Sequence, residues 1–151
     1  MNPFINSGCV IWNSFNYCFQ FEKKTVVEAL AFCNSIESKL FEPKDLPSNA
    51  FVTTEAKARG LTQFWIGIRD VQTEGTFRYD SNAEQITWNN WNSGQPNNEG
   101  GEDCTIVTVT QYSNSNGNGK IDVNSSEAGQ WWDTKCDFQK AFVCERTGNF
   151  S

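Results

Sequence analysis

Between positions 9 and 22 aromatic side chains alternate with polar ones, at Trp12, Phe15, Tyr17, Phe19 and Phe21. A period of two puts one set of side chains on a buried face, so this stretch predicts paired strands near the N-terminus. The period then changes. Thr25-Val26-Val27-Glu28 has the form of a capping box, and Ala29, Leu30, Cys33 and Ile36 follow at helical spacing. They predict a helix whose inner face carries Cys33. A second helix is expected after Pro47, capped by Ser48 or Asn49, carried by a run containing Ala and Lys, and stopped at Gly60. From Thr62 onward the chain turns to β-rich stretches, TQFWIGI, TFRY, CTIVTV and AFVCE, separated by Gly, Asn, Ser and Asp. Helices first and sheet afterwards point to the α+β class. No internal repeat is visible, and low complexity is confined to Ser113 through Ser126.

The chain has 151 residues, which predicts one domain spanning 1–151 with a core of its own. The 38% hydrophobic and 14% aromatic content is that of a folded chain, and no apolar run nears the roughly 20 residues of a membrane span. A formal charge of -6 without clustered Lys or Arg argues against nucleic acid as a partner. Six cysteines in a small chain read as three disulfides and hence as a secreted or lumenal protein. Zinc is the rival use of these thiols, but the chain has no histidine and no Cys-x-x-Cys pair. Six cysteines allow about 15 connectivities, among which the spacings suggest Cys9 with Cys18, Cys104 with Cys136, and Cys33 with Cys144. The opening Met-Asn-Pro lacks the apolar stretch of a signal peptide, so secretion carries the expectation that such a peptide has been removed ahead of Met1.

Candidate chemistry is concentrated in Trp91 to Cys104, WNSGQPNNEGGEDC, and in Trp131-Trp132-Asp133 before Cys136. Gln95, Asn97, Asn98, Glu102, Asp103 and Asp133 supply many oxygens and no nitrogen or sulfur ligand, which is the donor set a hard cation such as Ca2+ takes. A bridge from Cys104 to Cys136 would bring Glu102, Asp103 and Asp133 into one site.

Over nearly its whole length the chain resembles the C-type lectin-like domain family. Cys33 and Cys144 are similar to that family's long bridge, Cys104 and Cys136 to its loop bridge, Cys9 and Cys18 to the extra N-terminal bridge of long-form members, and Trp65-Ile66-Gly67 to its WIG core signature. The resemblance implies two helices, antiparallel sheets and a long loop region that holds calcium and sugar. It implies that Gln95, Asn97, Glu102 and Asp133 hold the principal calcium, with a cis peptide before Pro96 turning its two neighbours to one side of the loop. It also implies a second calcium at Asp70, Glu74, Asn98 and Asp103, with a contribution from the Glu102 backbone.

In that family a sugar completes the coordination sphere with two vicinal hydroxyls that are also hydrogen-bonded to the calcium ligands. Glu-Pro-Asn goes there with mannose-type sugars and Gln-Pro-Asp with galactose-type ones, because exchanging acid and amide exchanges which hydroxyl is offered a donor. Gln95-Pro96-Asn97 combines one half of each. Trp132 stands where the family has an asparagine ligand, and an indole cannot coordinate calcium, so weaker calcium binding is expected. Its ring would instead stack on the apolar face of a hexose, which favours galactose or N-acetylgalactosamine. Sugar contacts are therefore expected from Gln95, Asn97, Glu102, Trp132 and Asp133.

The stretch NSNGNGKIDVNSSE resembles an EF-hand loop with Asn114, Asn116 and Asn118 in place of acids, but Glu127 falls about two residues late and the neutral amides favour a polar loop. Asn124 and Asn149 head glycosylation sequons. A hydrolase using Glu99 and Glu102 is the enzymatic rival, weakened by the absence of any histidine base and by acids set at metal-ligand spacing. The other rival is a lectin-like module that binds protein, ice or mineral without sugar. The reading favoured is a non-enzymatic, secreted, calcium-dependent lectin for terminal hexoses on glycans or microbial surfaces, assembled as a homo-oligomer because single shallow sugar sites are weak.

Overall fold

The computed structural model describes residues 8–97, 101, 103–109 and 129–147. The expected sites at Asn98, Glu99, Glu102, Asn114, Asn116, Asn118, Asn124, Glu127 and Asn149 lie outside them. Among the described residues the order is β1 (Cys9–Trp12), β2 (Phe15–Lys24), α1 (Val26–Ser35), β3 (Lys39–Leu40), α2 (Leu46–Ala58), β4 (Gln63–Arg69), β5 (Arg78–Tyr79), β6 (Cys104–Thr108), β7 (Gln130–Thr134) and β8 (Lys140–Thr147).

The N-terminal alternation folds as a hairpin. Trp12 pairs with Phe15 across a two-residue turn in which Asn13 and Ser14 both have positive φ, the conformation that matches the twist of the flanking strands. Strand β2 then pairs with β8, so both ends of the chain meet in one sheet of order β1-β2-β8-β4-β6-β7, with β3 beside β8 and β5 beside β4. All these pairings are antiparallel except β4 with β8, which touch in parallel at Trp65 and Phe142.

Helix α1 starts as its sequence dictates. The Thr25 hydroxyl accepts from the Glu28 N–H and the Glu28 carboxylate accepts from the Thr25 N–H, which also holds that carboxyl below its usual range. Helix α2 begins earlier than its sequence suggests. Its cap is Asp45, whose carboxylate accepts from the Ser48 N–H, and Pro47 lies inside the first turn. Asn49, one of the two residues expected to cap it, is instead fully buried.

Two apolar clusters occupy opposite faces of the sheet. Phe64, Ile66, Ile68, Val107 and Trp131 belong to one, and Trp65, Cys104, Ile106 and Phe142 to the other, together with Val26, Ala29 and Cys33 from α1. The central strand β4 is therefore buried on both sides, and each residue of Trp65-Ile66-Gly67 has its own reason. Trp65 and Ile66 fill the two clusters, and a Cβ at Gly67 would stand 3.1 Å from both Glu42 Cγ and the Leu40 carbonyl. Disulfides join Cys9 to Cys18, Cys33 to Cys144, and Cys104 to Cys136.

Candidate metal and ligand site

The segment before Pro96 is laid along β7. Trp91 forms a parallel bridge with Trp131, the Trp131 N–H donates to the Asn90 carbonyl (2.9 Å), and the Asn92 N–H donates to the Trp131 carbonyl (2.9 Å). The rings of Trp88 and Trp91 meet that of Trp131 edge-on, with centroids 5.5 and 5.4 Å away. Trp131 is itself fully buried, so three indoles weld this loop to the sheet.

A buried polar knot fixes the same region from the other side. The Asn49 amide accepts from Trp131 Nε1 (2.9 Å) and donates to the Gly129 carbonyl (2.9 Å), which also accepts from the Asn90 amide (3.1 Å). Gly129 has positive φ, and a Cβ there would run into Thr53 Oγ1 and come within 2.8 Å of the Asn49 amide nitrogen. Helix α2 thus holds the entrance to β7. Asn49→Ala would strand the buried indole N–H and remove one donor from Gly129, so a loss of about 2 kcal/mol is expected in urea unfolding. An unchanged midpoint would show that the knot carries no weight.

Held in this way, the loop reaches β7 at Asp133. The Gln95–Pro96 peptide is cis, the Asp133 N–H donates to Gln95 Oε1 (3.3 Å), and the Asn97 N–H donates to Asp133 Oδ1 (3.2 Å). Three of the four residues expected at the principal calcium, Gln95, Asn97 and Asp133, are thus neighbours, with Asp133 4% exposed. The fourth, Glu102, lies outside the described residues.

The acids of the second expected site also converge. Carboxylate oxygens of Asp70, Glu74 and Asp103 lie within 4.8 Å of one another. The Asp70 N–H donates to the Asp103 carbonyl (3.1 Å), and Asp70 Oδ2 accepts from the Gly75 N–H (3.0 Å). Asp70 Oδ1 and Asp103 Oδ1 are buried and have no hydrogen-bond partner among the described residues. Burial, followed by the neighbouring acids, pushes both carboxyls above their usual range, and Asp133 is among the charges that Asp103 feels. Crowded carboxylates with unfilled oxygens fit a hard dication, which would offset their repulsion. Asn98, the remaining expected ligand, lies outside the described residues.

Trp132 is placed differently from its neighbours. Strand alternation sends it to the face opposite Trp131 and Asp133, where it is half-buried, packs against the second cluster opposite Ile106, and has no partner for its buried Nε1 among the described residues.

Residues 22–146 match the family model of the lectin C-type domain. The chain is 31% identical to zebrafish (Danio rerio) collectin-11 over 125 residues, which is 82% of this chain and 40% of that protein. It thus spans about two fifths of the length of that relative. Among solved structures, the mouse scavenger receptor C-type lectin carbohydrate-recognition domain superposes with a TM-score of 0.76 at 23% identity, covering 96% of this chain and 98% of that one. The cow C-type carbohydrate-recognition domain of CD23, described in the presence of a GlcNAc2Man3 oligosaccharide, gives 0.75 at 22% identity, covering 96% and 97%.

Proposed function

Because this chain belongs to the C-type lectin domain family, we propose that it is a secreted, calcium-dependent lectin whose principal ion is held by Gln95, Asn97, Glu102 and Asp133. The observation that carries this reading is the convergence of Gln95 and Asn97 on Asp133, where Gln95 Oε1 accepts from the Asp133 N–H and Asp133 Oδ1 accepts from the Asn97 N–H, so that two distant segments meet. A second ion is assigned to Asp70, Glu74, Asn98 and Asp103, where it would relieve the crowding of the three acids. Bound calcium would supply a positive centre for two sugar hydroxyls. The protein's own part is to hold the ligands ready. The three indoles and the Asn49 knot fix the loop before any ligand arrives, which reduces the ordering cost of binding.

Galactose or N-acetylgalactosamine is the proposed sugar. An amide at Gln95 offers its hydroxyl partner a donor where a carboxylate offers only acceptors, and this is the galactose-type half of the motif. Terminal hexoses on glycans or microbial surfaces are the proposed targets, bound by several copies of the chain because single shallow sites are weak.

The test is retention on galactose-coupled and mannose-coupled resins in millimolar calcium, followed by a chelator. Retention on the galactose resin and release by the chelator are expected. Stronger retention on mannose would overturn the sugar assignment, and no retention on either resin would favour a module that binds a protein or other non-sugar surface.

A further inference from the structure

On the sheet face that carries Trp132 there is a groove of about 300 Å³, lined by Gln63, Ile106, Thr108, Trp132, Phe138 and Lys140 and reaching the strand at Asp133 and Thr134. This is the low end of the range for small-ligand sites, room for one ring rather than a chain of them. Phe138 is 47% exposed, so the groove has one aromatic wall open to solvent and another, Trp132, set into the sheet.

Two of its polar side chains, Lys140 and Gln63, offer donors. Lys140 Nζ donates to Gln63 Oε1 (2.7 Å) and stands 5.9 Å from the centre of the Phe138 ring. The Gln63 carbonyl is thereby used, and its amide N–H groups have no partner among the described residues, as with the remaining ammonium hydrogens of Lys140. Ammonium and amide together form a two-pronged donor, the complement of the two oxygens of a carboxylate. Burial, and then the charge of Lys23, works against the Lys140 ammonium, so an anion in the groove would be welcome there on a chain whose net charge is -6.

We propose that this groove is a calcium-independent subsite for a single carboxylate-bearing sugar, with the acid on Lys140 and Gln63 and the apolar face of the ring against Phe138 and Trp132. Carbohydrate C–H faces pack on aromatic rings, and two such walls beside a charged donor distinguish an acidic sugar from a bare acid. The proposal shares with the calcium reading the ligand class and the strand that bears Asp133, but none of the groups assigned to hold the acid or the ring. It stands if the calcium site fails.

Calorimetric titration in chelator with methyl β-glucuronide, methyl β-glucoside and acetate separates the possibilities. The glucuronide is expected to bind about tenfold more tightly than its neutral twin, the size of one charge-assisted hydrogen bond. Lys140→Met keeps the aliphatic stem and should erase that preference, while Phe138→Ala, at an exposed position, should weaken both glycosides. Equal affinity for the two glycosides, acetate binding as well as the glucuronide, no glucuronide binding, or a preference that survives Lys140→Met would each overturn the proposal. Because chelator is present throughout, none of these results bears on the calcium site.

Discussion

Replacing Cys33 and Cys144 together by alanine is expected to lower the free energy of unfolding by about 4.7 kcal/mol, the chain-entropy value for a closed loop of about 100 residues. The bridge spans 111 residues, against 32 for Cys104–Cys136 and 9 for Cys9–Cys18. In this account the stabilisation comes from the unfolded chain, whose ends the bridge keeps together, and it grows with the logarithm of the loop. The other two pairs should therefore cost less, with Cys9–Cys18 falling below the roughly 3 kcal/mol of a 15-residue loop. Location sharpens the contrast. Cys33 and Cys144 are both buried in the cluster under α1, so alanine also removes packed sulfur there, whereas Cys9 is only half-buried on an edge strand. A domain of this size has about 5–15 kcal/mol to lose, which would leave the Cys33→Ala/Cys144→Ala protein marginal at body temperature. Urea midpoints of the three double variants give the ranking directly. A Cys9/Cys18 variant as damaged as the Cys33/Cys144 one would rule out the loop-length account for this protein.

What could be read from the sequence and what could not divide along the range of the interactions. The capping box at Thr25 and Glu28 acts over three residues, and the alternation from Trp12 to Phe21 acts over one strand pair, so both are written locally. The oxygen-rich motif is visible in composition alone, as a donor set of the kind a hard cation takes. Helix α2 shows where local signals run out. Asp45, Ser48 and Asn49 all carry cap chemistry, and only tertiary structure makes Asp45 the cap and sends Asn49 inward to an indole 82 residues away. Strand β7 is not among the stretches that read as strands. Its Gln-Trp-Trp-Asp-Thr run shows no polar alternation, because Trp131 faces one apolar cluster and Trp132 the other. For the same reason the sequence places Trp132 next to Asp133 but not on the sheet face where it lies. Asn90 and Gly129 gave no signal of their own, since their role exists only once they share a hydrogen bond.

Raising the pH from 5 to 8 in the presence of chelator is expected to destabilise the protein, and Glu145 is the main cause. Its carboxyl is 5% exposed and is pushed from 4.5 up to about 7, by burial first. One oxygen accepts from the Glu42 N–H (2.7 Å). Around it stand Tyr17 of β2, Lys39 of β3, and Glu42 and Lys44 on the segment that follows, with Asp45 at the start of α2. The two lysines favour the charged form, but both lie on Glu42 Oε1, at 3.2 and 3.4 Å, so much of their charge is already engaged. A carboxyl whose pKa is higher folded than unfolded holds its proton more tightly in the folded state. The stability it contributes is complete below 4.5 and is lost as the pH rises through about 7. The difference corresponds to about 3 kcal/mol. Asp70 and Asp103 are shifted in the same direction and add to the slope when no calcium is present. Glu145→Gln separates the contributions. The amide oxygen can still accept from Glu42, no charge forms on raising the pH, and the variant should gain up to about 3 kcal/mol over the parent at pH 8 while matching it near pH 5. Thermal unfolding of both proteins across that range measures it. Parallel curves would mean that Glu145 ionises at its ordinary value and that the slope belongs to the acids at Asp70 and Asp103.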